Sequence, residues 1–141
     1  MSIVVITPTI GRDSLLRSIE SVKAQTVEVE HLIVVDGLKH LEKVDRVLSK
    51  ISDHSNITKM VIPYATGEAG YWGHRVIAGV SQFVDHDYVL LLDDDNWLDP
   101  EHVESLVSLI KKDNLDWAFS LRKFWNWNLS STYYDTGISI G

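Results

Sequence analysis

The stretch Tyr88-Val89-Leu90-Leu91-Leu92-Asp93-Asp94-Asp95 decides the reading of this chain, because five apolar residues run without a break into three carboxylates. An uninterrupted apolar run of this length predicts a strand covered on both sheet faces. The aspartates mark its exit at a polar edge. The chain then continues through Asn96-Trp97-Leu98 to Asp99-Pro100-Glu101, which reads as a helix start. Asp99 supplies a capping carboxylate, Pro100 suits the first helical position, and Glu101 lies near the positive end of the dipole. Val103, Leu106, Val107 and Ile110 carry that helix on.

The same alternation extends in both directions. Ile3-Val4-Val5-Ile6 predicts a first strand ended by Thr7-Pro8-Thr9, since proline removes a ladder donor. Leu15, Leu16, Ile19 and Val22 recur at helical spacing, with Asp13 or Ser14 available as cap. His31 to Val35 predicts a second strand closed by Asp36-Gly37, followed by a helix face at Leu41, Val44, Val47, Leu48 and Ile51. Ile57 to Ile62 predicts a third strand stopped by Pro63. A glycine-rich stretch from Gly67 to Gly73 leads into a helix bearing Val76, Ile77, Val80 and Phe83. Trp117 to Leu121 predicts a fifth strand after the aspartate-led helix. Together these predict an α/β fold, a mainly parallel sheet with helices on both faces.

Composition narrows the function classes. The 141 residues are room for one domain, and 45% hydrophobic content supports a core. A net charge of −7 with a pI near 5.2 argues against a nucleic-acid partner, which calls for a basic stripe. The absence of cysteine excludes disulfides and thiolate metal sites. The six histidines lack zinc-ligand spacing, and His74 alone reads more readily as structural. Nothing approaches the roughly 20 apolar residues of a membrane span, and the opening run is not a signal peptide. The expectation is a soluble, cytoplasmic protein.

Three polar, turn-forming features follow predicted strands: Thr7-Pro8-Thr9, Asp36-Gly37 and Asp93-Asp94-Asp95. Ligands of open parallel sheets bind beyond the carboxyl ends of the strands. Adjacent carboxylates at the end of a buried strand repel and resist desolvation, a problem that a divalent cation removes. With extended geometry, Asp93 and Asp95 point to one side and Asp94 to the other. Two hard oxygen ligands of this kind suit Mg2+ or Mn2+, especially when substrate phosphates complete the shell. The alternative is an acidic turn, although Asp99 already supplies the cap of the next helix. Asp36-Gly37 reads either as a plain turn or as part of the same site. Thr7 to Arg12 reads either as an ordinary loop or as a set of hydroxyls, amides and a guanidinium for an anion or base edge. The dinucleotide Gly-x-Gly-x-x-Gly spacing and the P-loop are both absent.

With these residues in view, the chain resembles the family 2 glycosyltransferases of the Rossmann-like GT-A fold. Val4 to Arg12 (VVITPTIGR) is similar to the opening strand and nucleotide loop, and Ser21, Val22 and Gln25 to the following helix pattern. His31 to Gly37 (HLIVVDG), Gly70 to Gly79 (GYWGHRVIAG) and Tyr88 to Pro100 (YVLLLDDDNWLDP) are similar to the second strand, the arginine-bearing helix and the Asp-x-Asp segment. The likeness spans roughly residues 3 to 112. It implies a nucleoside-diphosphate sugar donor, most often a UDP-sugar, and a Mn2+ or Mg2+ ion at its diphosphate. Carried over by position, Thr7, Pro8, Thr9 and Asp36 line the nucleoside pocket and Arg75 helps at the base or phosphates. Arg12 and Asp94 fall within the same donor-binding set. Asp93 faces ribose and metal, and Asp95 is the direct metal ligand.

The resemblance also sets departures. Arg75 is followed by Val76 where the family usually has asparagine. Family members are typically longer, their further part supplying acceptor contacts and the catalytic base. The implied organisation is a single domain over 1–141, with a donor-binding core to about residue 112 and a truncated acceptor-side segment over 113–141. Asp135 is the only acidic residue after Asp116, and reads either as the base candidate by elimination or as a polar turn residue. Trp125, Trp127, Tyr133 and Tyr134, set among Asn126 and Asn128, suit either a saccharide acceptor platform or core-capping and subunit contacts, including a homodimer. The leading reading is a metal-dependent glycosyltransferase. Its rivals are a sugar-nucleotide-binding module without acceptor machinery and a sugar nucleotidyltransferase, which would carry a basic glycine-rich loop early in the chain.

Overall fold

The structure, a computed structural model, describes residues 1–126 and 132–134. The chain divides into two compact units, Met1–Glu104 and Ser105–Gly141. In the first, the elements run β1 (Ile3–Thr9), α1 (Leu15–Lys23), β2 (Glu30–Asp36), α2 (Leu41–Leu48), β3 (Ile57–Ile62), α3 (His74–Val80) and β4 (Tyr88–Leu91). Helix α4 (His102–Asp113) spans residues on both sides of the boundary. The four strands form one sheet in the order β3-β2-β1-β4, and every pairing is parallel.

Strand β2 explains why helices lie on both faces. Its side chains alternate, so Ile33 and Val35 pack with Leu15, Ile19, Val44, Val47 and Leu48 from α1 and α2. Leu32 and Val34 point the other way and pack with Val4, Ile6, Val76 and Val80, the last two from α3. The expected parallel α/β sheet with two covered faces is therefore present.

Three local expectations are corrected. Strand β1 does not stop at Ile6 but runs through Thr7-Pro8-Thr9. Pro8 is tolerated because the Ile6 carbonyl accepts from the Leu92 amide on the β4 side, and β4 ends there. Two residues on, the position lacking an N–H faces the same, now vacant, side, while β1 stays in register with β2 through Thr9↔Val35. Strand β4 is not covered on both faces. Val89 and Leu91 are 39% and 53% exposed, and among the described residues β4 pairs only with β1. The all-apolar run signalled a strand correctly but not its place at the sheet margin. Finally, Trp117 to Leu121 is not a strand. Its alternating Trp117, Phe119 and Leu121 are exposed, with the first two rings stacked at 5.7 Å, but among the described residues no ladder pairs its backbone. In that second unit the described strands are β5 (Lys123–Trp125) and β6 (Thr132–Tyr134), an antiparallel pair.

No helix among the described residues is long and apolar enough to cross a membrane.

Candidate functional site

Chain order makes a crevice at one edge of the sheet. The path from β1 through β2 to β3 moves one way, and β4 returns to the opposite side of β1. The loops after β1 and β4 therefore diverge where the strand order reverses, the position at which open α/β sheets bind ligands.

Four side chains meet there. The Thr9 hydroxyl donates to Asp94 Oδ2 at 2.6 Å and accepts from the Gly11 amide at 3.0 Å. Arg12 Nη1 donates to Asp94 Oδ1 at 3.1 Å and to Asp95 Oδ2 at 3.2 Å. Gly11 allows this loop its shape. It sits at φ +81°, and a Cβ there would collide with Lys43 and the backbone of α2. Burial raises the Asp94 carboxyl above its ordinary range, opposed by the Thr9 hydroxyl and the Arg12 charge and reinforced by Asp95. Asp94 is thus the interior anchor of the cluster.

The strand ends at Leu91, and the Asn96 amide closes a turn onto the Asp93 carbonyl at 3.1 Å. Exposure nevertheless alternates along the triplet: Asp93 and Asp95 are open, and Asp94 is buried. Two open carboxylates offer hard oxygen ligands of the right chemistry for Mg2+ or Mn2+. Among the described residues no group of three His, Cys, Asp or Glu side chains is gathered to hold an ion alone.

The aspartate loop is braced from α1 and the turn that follows it. Gln25 Nε2 donates to the carbonyls of Ser21 and Asp99, both at 2.9 Å, while its Oε1 accepts from the Val103 amide at 3.0 Å. The Thr26 amide adds a bond to the Pro100 carbonyl at 3.1 Å. The Arg17 guanidinium lies 4.6 Å from the centre of the Trp97 ring.

Asp36 forms a second wall. Its Oδ1 accepts from the Thr66 amide at 2.7 Å and the Thr66 hydroxyl at 2.9 Å, and its Oδ2 from the Gly67 amide at 2.8 Å. A Cβ on Gly67 would collide with that carboxylate and with the Trp72 carbonyl, and one on Gly73 would collide with Pro8. Asp36 therefore fastens the 66–73 segment over the ends of β1 and β2. Within that segment Ala69 and Trp72 take left-handed φ values of 62° and 51°.

The structure joins Thr9, Arg12, Asp94 and Asp95 directly, with Asp93 beside them, and brings Pro8 to the Asp36-anchored segment. It does not bring Thr7 to the crevice. Thr7 is fully buried and its hydroxyl meets His31 Nε2 at 2.9 Å. Burial pushes His31 down to about 4, so it is a neutral interior imidazole. Arg75 is exposed, stacks 3.4 Å over Tyr71, and with Thr66 lines an apolar hollow between β3 and α3. Asp135, Trp127 and Asn128 lie outside the described residues, whereas Trp125 and Tyr134 are exposed on β5 and β6. Sequence reasoning missed Thr66 and Gly67 as partners of Asp36, and Gln25 as a brace. Gln25 was visible within a motif, but no local signal shows that its amide reaches a loop 74 positions away.

Comparison with known proteins sets this geometry in context. The family described as Glycosyl transferase family 2 matches residues 4–138. No curated protein matches the chain.

Proposed function

The chain belongs to glycosyl transferase family 2, and from that premise we propose a metal-dependent transferase that takes a sugar from a nucleoside-diphosphate sugar, with a UDP-sugar as the first candidate. The family supports a glycosyltransferase-type function with a nucleotide-sugar donor and an acceptor in general. The finer reading rests on one observation: the Thr9–Asp94–Arg12–Asp95 network at the point where the strand order reverses. Asp93 and Asp95 would hold Mn2+ or Mg2+, and the bound cation would neutralise charge on the departing diphosphate.

The protein's own groups do the rest. Asp94 fixes the aspartate loop to β1 through Thr9, so the open carboxylates are presented by a backbone that is already ordered. Arg12 adds positive charge at a site that must accept phosphates. Asp36, through Thr66 and Gly67, shapes the wall where the nucleoside would lie, with Arg75 nearby. Asp135 is proposed as the base that takes the acceptor's proton.

Calorimetric titration with a panel of nucleotide sugars, with and without Mn2+, tests the donor site. Binding that needs the cation and is lost in Asp95→Ala is expected. Binding indifferent to both would sink the reading. Sugar transfer or release from the bound donor then separates a transferase from a binding module.

A further inference from the structure

Arg12 occupies one of the two carboxylates that the proposed cation would use, Asp95, together with the buried Asp94 beside it. A single nitrogen, Nη1, makes both contacts, to Asp94 at 3.1 Å and to Asp95 at 3.2 Å. The two pairs differ in setting. The Asp94 side chain is 5% exposed, whereas those of Arg12 and Asp95 are 46% and 56% exposed. An exposed pair contributes little and exchanges readily, while the buried carboxylate keeps its partner. The remaining donors of the guanidinium fork have no hydrogen-bond partner among the described residues.

On the donor-site reading above, we infer that Arg12 is an internal counter-ion that couples the cation to the diphosphate. In the free protein its single positive charge offsets part of the charge of Asp94 and Asp95, so a dication approaching Asp95 meets a positive charge already on its ligand. Binding the cation alone must detach Arg12 from Asp95 and leave two like charges adjacent. A diphosphate removes that conflict. Its oxygens take up the guanidinium, for which a planar fork is well matched, while Asp94 keeps the arginine tethered beside the site. Cation and diphosphate therefore bind together, and each weakly alone. Arg12 is a positioning residue in this account, acting on the cation through Asp95.

Titration of Mn2+ alone, followed by the electron paramagnetic resonance signal of the free ion, tests this in the wild type, Arg12→Gln and Arg12→Lys. Repeating it with saturating UDP gives the coupling, the ratio of Mn2+ affinities with and without nucleotide. Removing a positive charge a few ångströms from the ligand predicts that Arg12→Gln binds Mn2+ alone about tenfold tighter. The coupling should fall at least as far, because Mn2+ gains affinity without UDP and loses it with UDP. Arg12→Lys, which keeps the charge, should bind Mn2+ alone as the wild type does. Mn2+ affinity that is unchanged or weaker in Arg12→Gln overturns the counter-ion role, leaving a phosphate contact or a structural residue. A wild type with no UDP coupling sinks the donor-site reading and the recapture step. The arm with Mn2+ alone contains no nucleotide, so it still decides whether Arg12 shields Asp95.

Discussion

Asp36 ends one parallel strand and Asp94 follows another, and each is 4% exposed, yet they are satisfied in different ways. Asp36 accepts from two backbone amides and a hydroxyl of one short segment. Asp94 accepts from the Thr9 hydroxyl, with the Ile10 backbone amide also acting on it, and from an arginine that it shares with the open Asp95. Backbone amides cannot swing away without unfolding their segment, whereas a half-exposed guanidinium can. One wall of the crevice is thereby fixed, and the other is balanced by charge that a ligand can rearrange.

The comparison breaks first at Asp36. Asp36→Ala strands two amides that a buried carboxylate now satisfies, and should cost about 3 to 4 kcal/mol in urea denaturation. A loss near zero would mean that the 66–67 segment is not fastened there. A third buried polar group, His31, sharpens the same rule, because it has a hydroxyl partner and no charge. Its folded pKa of about 4 lies below the ordinary 6.5. The unfolded chain therefore takes up the proton first as pH falls. Stability is fully present above about 6.5 and declines between there and about 4, by about 3 kcal/mol in total. Asp94, whose pKa is raised by burial, works in the opposite direction in the acid range. The difference between wild type and His31→Gln across a pH series isolates the imidazole, and a flat difference would refute its burial as a neutral group.

Gly67→Ala probes the fixed wall from its other side. The added methyl meets both the Asp36 carboxylate and the Trp72 carbonyl, so a destabilisation of about 2 kcal/mol is expected in the same denaturation assay. The smallest effect belongs to the adjustable wall. Asp95→Asn removes an exposed ion pair and should shift stability by less than about 0.5 kcal/mol while abolishing cation-dependent nucleotide binding. A large stability loss there would show that Asp95 is part of the frame rather than of the site.

Periodicity made most of the frame legible. Apolar runs located the four parallel strands, and helical spacing located α1 to α4. What it could not report is which neighbour a strand has. The run Tyr88 to Leu92 reads as fully covered, but β4 is bordered only by β1 among the described residues, and Val89 and Leu91 on one of its faces are exposed. Pro8 reads as a terminator because the signal is local, and its tolerance depends on where β4 ends. Trp117 to Leu121 alternates as a strand does but has no partner ladder among the described residues. At the site, the placement of Thr9, Asp36 and the aspartates at one edge follows from topology alone. The partners of those residues do not. Thr66, Gly67 and Gln25 act through amides and carbonyls brought together by tertiary folding, and Thr7 and Thr9 have the same chemistry in sequence but meet His31 and Asp94 respectively.

Paramagnetic broadening of amide signals by substoichiometric Mn2+, in the presence of UDP, tests most directly whether cation and nucleotide share the β1–β4 end. The strongest broadening is expected at residues 9–12 and 93–96, fading toward Ile57 and Thr58 at the start of β3, with its loss in Asp95→Asn. Broadening centred elsewhere, or unchanged by that substitution, would contradict a shared site there.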